Sequence, residues 1–170
     1  TSSISGEGKS FNAINLAMSF ALTNKKVLIV GLDIRNPQLS KYFHLKEQQG
    51  VTNFISNENL MVDDVIQESK THPYLWAISS GAIPPNPSEL LLNNRLDYLF
   101  EEIRKRFDYI IIDTAPVGIV TDTFLINRIV DATVYICKQN YTDKNIVKFI
   151  NKIYKENKLN NMSVLLNGTD

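Results

Sequence analysis

Cysteine is nearly absent from this chain, with Cys137 the only one in 170 residues. A single thiol cannot close an intrachain disulfide, so the composition points to a reducing compartment. Cys137 sits inside the apolar run "ATVYICK", the setting of a small buried hydrophobe rather than an activated nucleophile. Histidine is almost as scarce: His44 and His72 stand far apart with no cysteine near them, which excludes a zinc site of ordinary ligand spacing. An excess of either charge is also missing. Lys and Arg total 18, Asp and Glu total 18, and the net charge is zero. No global positive field is available to collect nucleic acid or anionic lipid, so no nucleic-acid partner is expected. No run approaches the ~18 apolar residues of a membrane span, and no signal peptide is expected before the first motif. Repeats, low-complexity stretches and linkers are absent too, which predicts one domain over 1–170.

What is present is 44% hydrophobic residue, arranged as short apolar runs alternating with amphipathic stretches. "VLIVG", "YLWAIS", "DYIIID", "ATVYICK" and "MSVLLN" are apolar on consecutive positions, as strands buried on both faces are. Helices are expected at 9–22, 87–106, 122–129 and 142–157. The pattern is that of βα units around a mostly parallel sheet. In "IPPNPSELL", Asn86 is expected to accept as N-cap, Pro87 to take the first helical position and Glu89 to reach back to the cap. Arg104, Lys105 and Arg106 fall in the last turn of the same helix, where cations meet the negative end of the dipole.

The chemistry-bearing stretch is "GEGKS", directly before the amphipathic "FNAINLAMSFAL". Gly6 and Gly8 allow a tight turn with N–H groups facing inward, and the helix start adds partial positive charge. Lys9 is placed to reach β- and γ-phosphates, and Ser10 to ligate Mg²⁺. The strict phosphate-loop pattern begins with glycine, and Ser3 stands there instead. Magnesium needs oxygen ligands, and two aspartates stand at strand ends: Asp33 after "VLIVGL" and Asp113 closing "YIIID". Such a loop normally follows a β-strand, and Thr1 stands almost on the loop, so the natural polypeptide is expected to continue upstream.

The ordered set "SSISGEGKS", "VLIVGLDIRNP", "SSGAIPPNPSELL" and "FDYIIIDTAPVG" resembles the catalytic domain of the bacterial tyrosine kinases of capsular and exopolysaccharide export. In that family these are the Walker A loop, the acidic Walker A′ motif, a proline-rich linker to a helix, and Walker B. The resemblance runs from Ser2 to "SVLLNG". It implies an α/β P-loop NTPase fold of three layers, α/β/α, and an ATP- and Mg²⁺-dependent kinase that phosphorylates tyrosines between subunits. It implies nucleotide contacts from Ser5, Gly6, Glu7, Gly8, Lys9, Ser10, Phe11 and Asn167. Lys9, Asp33 and Asp113 are then the catalytic residues, with Ser10, Asp33 and Asp113 supporting the metal. As partners it implies further copies of the chain in a ring, a membrane-spanning co-polymerase segment or subunit and a cognate tyrosine phosphatase. The domain would work on the cytoplasmic side, associated with the inner membrane. An oligomerisation helix and a tyrosine-rich tail belong to the family pattern and are not found in these residues.

Two departures matter. Many family members carry D-x-D in Walker A′, and here the pair is Gly31 and Asp33. Residues two apart on a strand share a face, so a carboxylate at 31 would point the same way as Asp33; glycine there also permits close approach. Removing one preorganised charged group costs about 10² to 10³ in rate, and a loose transition state depends mainly on positioning and charge neutralisation, so activity is expected to survive. The alternative is an ATP-binding assembly scaffold. Partition- and septum-type ATPases share the deviant loop but place a lysine where this chain has Ile4. Tyr135 is expected in the core, and Tyr42, Tyr74, Tyr98, Tyr141 and Tyr154 at the surface.

Overall fold

Apolar side chains on consecutive positions can be satisfied only if both faces of a strand are covered, and β1 (Val27–Leu32) meets that condition with all six residues buried. The computed structural model describes residues 1–46 and 49–169. They fall into two compact units, 10–114 and a second made of 1–9 with 115–170.

In the unit 10–114, α1 (Lys9–Ala21) leads into β1, followed by α2 (Leu39–Phe43), α3 (Val51–Ser56), α4 (Val62–Val65) and β2 (Gln67–Glu68). Then come β3 (Leu75–Ile78), α5 (Pro87–Leu91), α6 (Asn94–Arg104) and β4 (Tyr109–Thr114). The sheet order is β2-β3-β1-β4. Strand β1 is parallel to both neighbours, with Val27 opposite Leu75 on one side and Tyr109 on the other, while the short β2 runs antiparallel to β3. Alternation of side chains puts Val27, Ile29, Leu75 and Ala77 on one face. There they pack with Ala17 and Ala21 of α1 and Leu39 and Phe43 of α2. Alanine at those two helix positions lets the backbone come close to the sheet. Helix α6 buries Leu96, Leu99, Phe100 and Ile103, the i, i+3, i+4, i+7 stripe of an amphipathic helix.

The other unit contains α7 (Asp122–Leu125), a 3₁₀ turn (Asn127–Ile129), β5 (Thr133–Lys138), α8 (Ile146–Lys155) and β6 (Met162–Asn167). β5 and β6 pair in parallel from Thr133 opposite Met162 to Lys138 opposite Asn167. Thr1 and Ser2 extend this pairing, because the Ile136 N–H donates to the Thr1 carbonyl at 2.8 Å and Ser2 bridges Ile136. Val117, Tyr135, Ile150, Ile153 and Leu159 form its core.

Four expectations change at this level, the first being that 122–129 is a one-turn helix (Asp122–Leu125) followed by a 3₁₀ turn (Asn127–Ile129). The stretch 87–106 is two helices, because the Asn93 side chain accepts from Arg95 N at 2.9 Å and starts α6 anew. Asn86 makes no side-chain cap to the backbone; its amide donates to the Glu89 carboxylate, while Pro87 does hold the first position of α5. The last helix begins at Ile146 rather than Thr142, after a turn in which Asp143 accepts from Asn145 N at 2.7 Å. Among the described residues, no helix is long and apolar enough to cross a membrane.

Candidate functional site

The phosphate loop lies in the unit that carries Thr1–Lys9. Gly6 and Gly8 have φ of +85° and +96°, the left-handed region in which a side chain is strained. Glu7 between them is fully buried. Its carboxylate accepts from Ile4 N at 2.8 Å and from the Thr142 hydroxyl, and its backbone carbonyl accepts from the Asn167 amide at 2.9 Å. Tyr141 donates its hydroxyl to the Ser5 carbonyl at 3.0 Å. Ser3 shares a hydrogen bond with the Tyr135 hydroxyl at 2.8 Å. Burial pushes the Tyr135 phenol up to about 12, with the Ser3 hydrogen bond pulling the other way. Burial also raises the Cys137 thiol, and the Glu7 charge adds to the effect. That keeps Cys137 in the inert thiol form, as its place in an apolar strand suggested.

The loop is therefore braced from behind by the ends of β5 and β6. Asn140, at φ 57°, turns the chain after β5 so that Tyr141 and Thr142 return to the loop. Sequence reading assigned Thr142 to a helix and missed both braces. The one available signal was the polar "KQNYT" following an apolar strand. The side chains of Glu7 and Asn167 are both turned to loop architecture in this geometry. Lys9 opens α1, and Phe11 in its first turn is 59% exposed.

The acidic residues lie in the unit 10–114. Ser10 donates to Asp113 Oδ2 at 2.6 Å, which puts the hydroxyl of the α1 first turn directly on the carboxylate at the end of β4. Asp113 is 3% exposed. Asp33 follows β1, where its N–H donates to the Asp113 carbonyl at 3.1 Å. One Asp33 carboxylate oxygen accepts from Asn36 N at 3.0 Å, so Asp33 also shapes the turn. Gly31 lies opposite Asp113 in the β1–β4 register. Arg35 is exposed and reaches the Ser88 hydroxyl at 3.2 Å. Two strand-end carboxylates and a hydroxyl form a hard-oxygen donor set, which suits a cation that keeps several waters and takes its remaining ligands from a substrate phosphate. No group of three or more His, Cys, Asp and Glu that could hold a metal occurs among the described residues.

Comparison with known proteins places these features in a family. A model described as AAA domain matches residues 3–165. The tyrosine-protein kinase ptk of Acinetobacter johnsonii is 42% identical over 121 residues, 71% of this chain and 16% of that protein. The tyrosine-protein kinase CpsD of Streptococcus pneumoniae serotype 4 is 33% identical over 166 residues, 97% of this chain and 72% of that protein. The kinase domain of Escherichia coli tyrosine kinase ETK superposes with a TM-score of 0.91 at 26% identity, over 99% of this chain and 65% of that one. The chain thus spans 16% of the length of the Acinetobacter relative and under two thirds of the ETK chain. An α/β unit with a mostly parallel sheet, a glycine loop opening α1 and strand-end aspartates agrees with these likenesses, and the chain belongs to the bacterial tyrosine kinase family of P-loop NTPases.

Proposed function

We propose that this chain is the catalytic domain of an ATP- and Mg²⁺-dependent protein-tyrosine kinase that phosphorylates tyrosines on neighbouring copies and regulates capsular or exopolysaccharide polymerisation and export. The observation that carries this reading is the 2.6 Å contact from Ser10 to Asp113, which joins the residue after the loop lysine to the strand-end carboxylate. In this account the loop N–H groups around Gly6 and Gly8 hold the nucleotide phosphates. Lys9 neutralises charge on the β- and γ-phosphates. Ser10 and Asp113, with Asp33 close by, hold the metal, which when bound draws off the negative charge that develops during transfer. Asp33 takes the proton of the attacking tyrosine hydroxyl. Exposed Phe11 offers a ring face to the nucleotide.

The whole protein acts, on this reading, as a homo-oligomeric ring at the cytoplasmic face of the inner membrane. It works with a membrane-spanning co-polymerase segment or subunit, and a cognate phosphatase resets it. A second reading is favoured by Gly31: an ATP-binding scaffold that changes assembly state without transferring phosphate. A phosphotyrosine assay on the wild type separates the two, and Asp33→Asn then tests the role of Asp33. The kinase reading expects phosphotyrosine formation to fall about 10² to 10³-fold while ATP affinity is retained. Binding and assembly that respond to ATP in a wild-type protein forming no phosphotyrosine would leave the scaffold in place.

A further inference from the structure

Gly31 is not a glycine of conformational necessity, because its φ lies outside the positive region that disfavours side chains. It is a glycine of space. A Cβ built on it would lie 2.6 Å from the Ser80 hydroxyl oxygen and 3.1 Å from the Ser80 backbone nitrogen, with Leu39 Cβ at 3.6 Å. The first distance is one that real Cβ atoms do not adopt. Ser80 itself is 3% exposed and lies just beyond the end of β3.

The chain around Ser80 is fixed at several points. The Ser79 and Ser80 carbonyls accept from Val51 N at 2.9 Å and Thr52 N at 3.0 Å, at the start of α3. Thr52 also donates its hydroxyl to the Ala82 carbonyl at 2.7 Å. Gly81 turns the chain with φ +86° against the Thr52 and Asn53 side chains. These contacts fix the backbone that carries Ser80, whose hydroxyl oxygen lies over Gly31, the residue opposite Asp113 in the β1–β4 register.

We propose that Ser80 is a positioning residue of the phosphotransfer site: its hydroxyl fills the space any side chain at residue 31 would need and presents a neutral hydrogen-bonding group on the strand ends that bear Asp33 and Asp113. This rests on the kinase reading above. A hydroxyl both donates and accepts, whereas a carboxylate only accepts and carries charge. The serine adds no charge at these strand ends and, by filling the space over Gly31, fixes the strand end that aims Asp33 at the proton it takes.

The test uses the full-length protein in two arms. In a thermal-unfolding cycle, Gly31→Ala should lower Tm by roughly 3–6 °C, the loss typical of an overpacked site in a domain of this size. In the Ser80→Ala background the same substitution should lower it by less than half as much. Equal losses in both backgrounds would overturn the shared-space argument. In the kinetic arm, Ser80→Ala should lower kcat about tenfold, the worth of one hydrogen bond, with the Kd for ATP unchanged. An unchanged kcat, or a loss confined to ATP binding, would overturn the positioning role. Absence of phosphotyrosine from the wild type would overturn the kinase reading and this role with it, whereas the stability cycle still reads the packing by itself.

Discussion

Glu7 carries more of the phosphate loop than its place between two glycines suggests. A buried carboxylate that satisfies a backbone N–H and a hydroxyl leaves both orphaned when it is removed, and each orphan costs about 1–3 kcal/mol. Glu7→Ala should therefore lower the urea midpoint and weaken ATP binding together, while Glu7→Gln, which keeps an acceptor, should lose less. Equal effects from both would contradict the bracing role. Tyr135 gives a pH signature. Its phenol rises from the ordinary 10 to about 12 in the folded protein because the ring is buried. The protonated form is favoured more by the folded than by the unfolded chain. Its contribution to stability is thus complete below pH 10 and lost as pH climbs toward 12. Alkaline unfolding followed by circular dichroism should show this loss, and Tyr135→Phe should remove that part of it. Residue identity made the positive φ at Gly6 and Gly8 legible from the motif alone. The partnership of Gly31 with Ser80 was not legible, because nothing in a linear pattern tells which distant side chain fills the room a glycine leaves.

At the scale of elements, Arg95 ties α6 to α3 and to the chain that follows it. Its guanidinium donates to the carbonyls of Phe54 at 3.0 Å, Asn57 at 3.2 Å and Leu60 at 3.0 Å, and lies 4.3 Å from the Phe54 ring centroid. Three carbonyls held by one planar cation explain how a stretch with little regular structure of its own stays ordered. Arg95→Ala should cost about 2–4 kcal/mol in chemical denaturation, since charge-assisted hydrogen bonds and ring contact go together. Arg95→Lys should recover little of it, because an ammonium cannot fork to three acceptors on a plane. An Arg95→Ala protein of wild-type stability would refute this. The longer elements were legible from apolar periodicity. The break at Asn93 was not, because "LLLNNRLDYLF" keeps a helical pattern straight through it and only the side-chain cap to Arg95 N interrupts the ladder. The short helices α2, α3 and α4 were also missed: at four to six residues each they are too brief to show a period.

For the whole molecule, the parallel pairing around β1, the phosphate loop opening α1 and the strand-end aspartates were readable before any coordinates, because each follows from a local rule about buried strands, glycine and anion binding. The braces on the loop from Tyr141, Thr142 and Asn167 join positions more than 130 residues apart in sequence, and no local rule reaches that far. Family membership supports phosphotransfer, while Gly31 makes assembly without transfer the rival. The lysine of partition- and septum-type ATPases is replaced by Ile4, whose N–H is given to Glu7. The most direct measurement is a phosphotyrosine assay on the full-length protein with Mg²⁺ and ATP, with wild type and Lys9→Ala side by side and ATP binding measured on both. The account predicts phosphotyrosine in the wild type and loss of both binding and phosphotyrosine in Lys9→Ala. A wild type that binds ATP yet forms no phosphotyrosine would contradict the kinase, and a Lys9→Ala protein with undiminished ATP affinity would contradict the assignment of the loop.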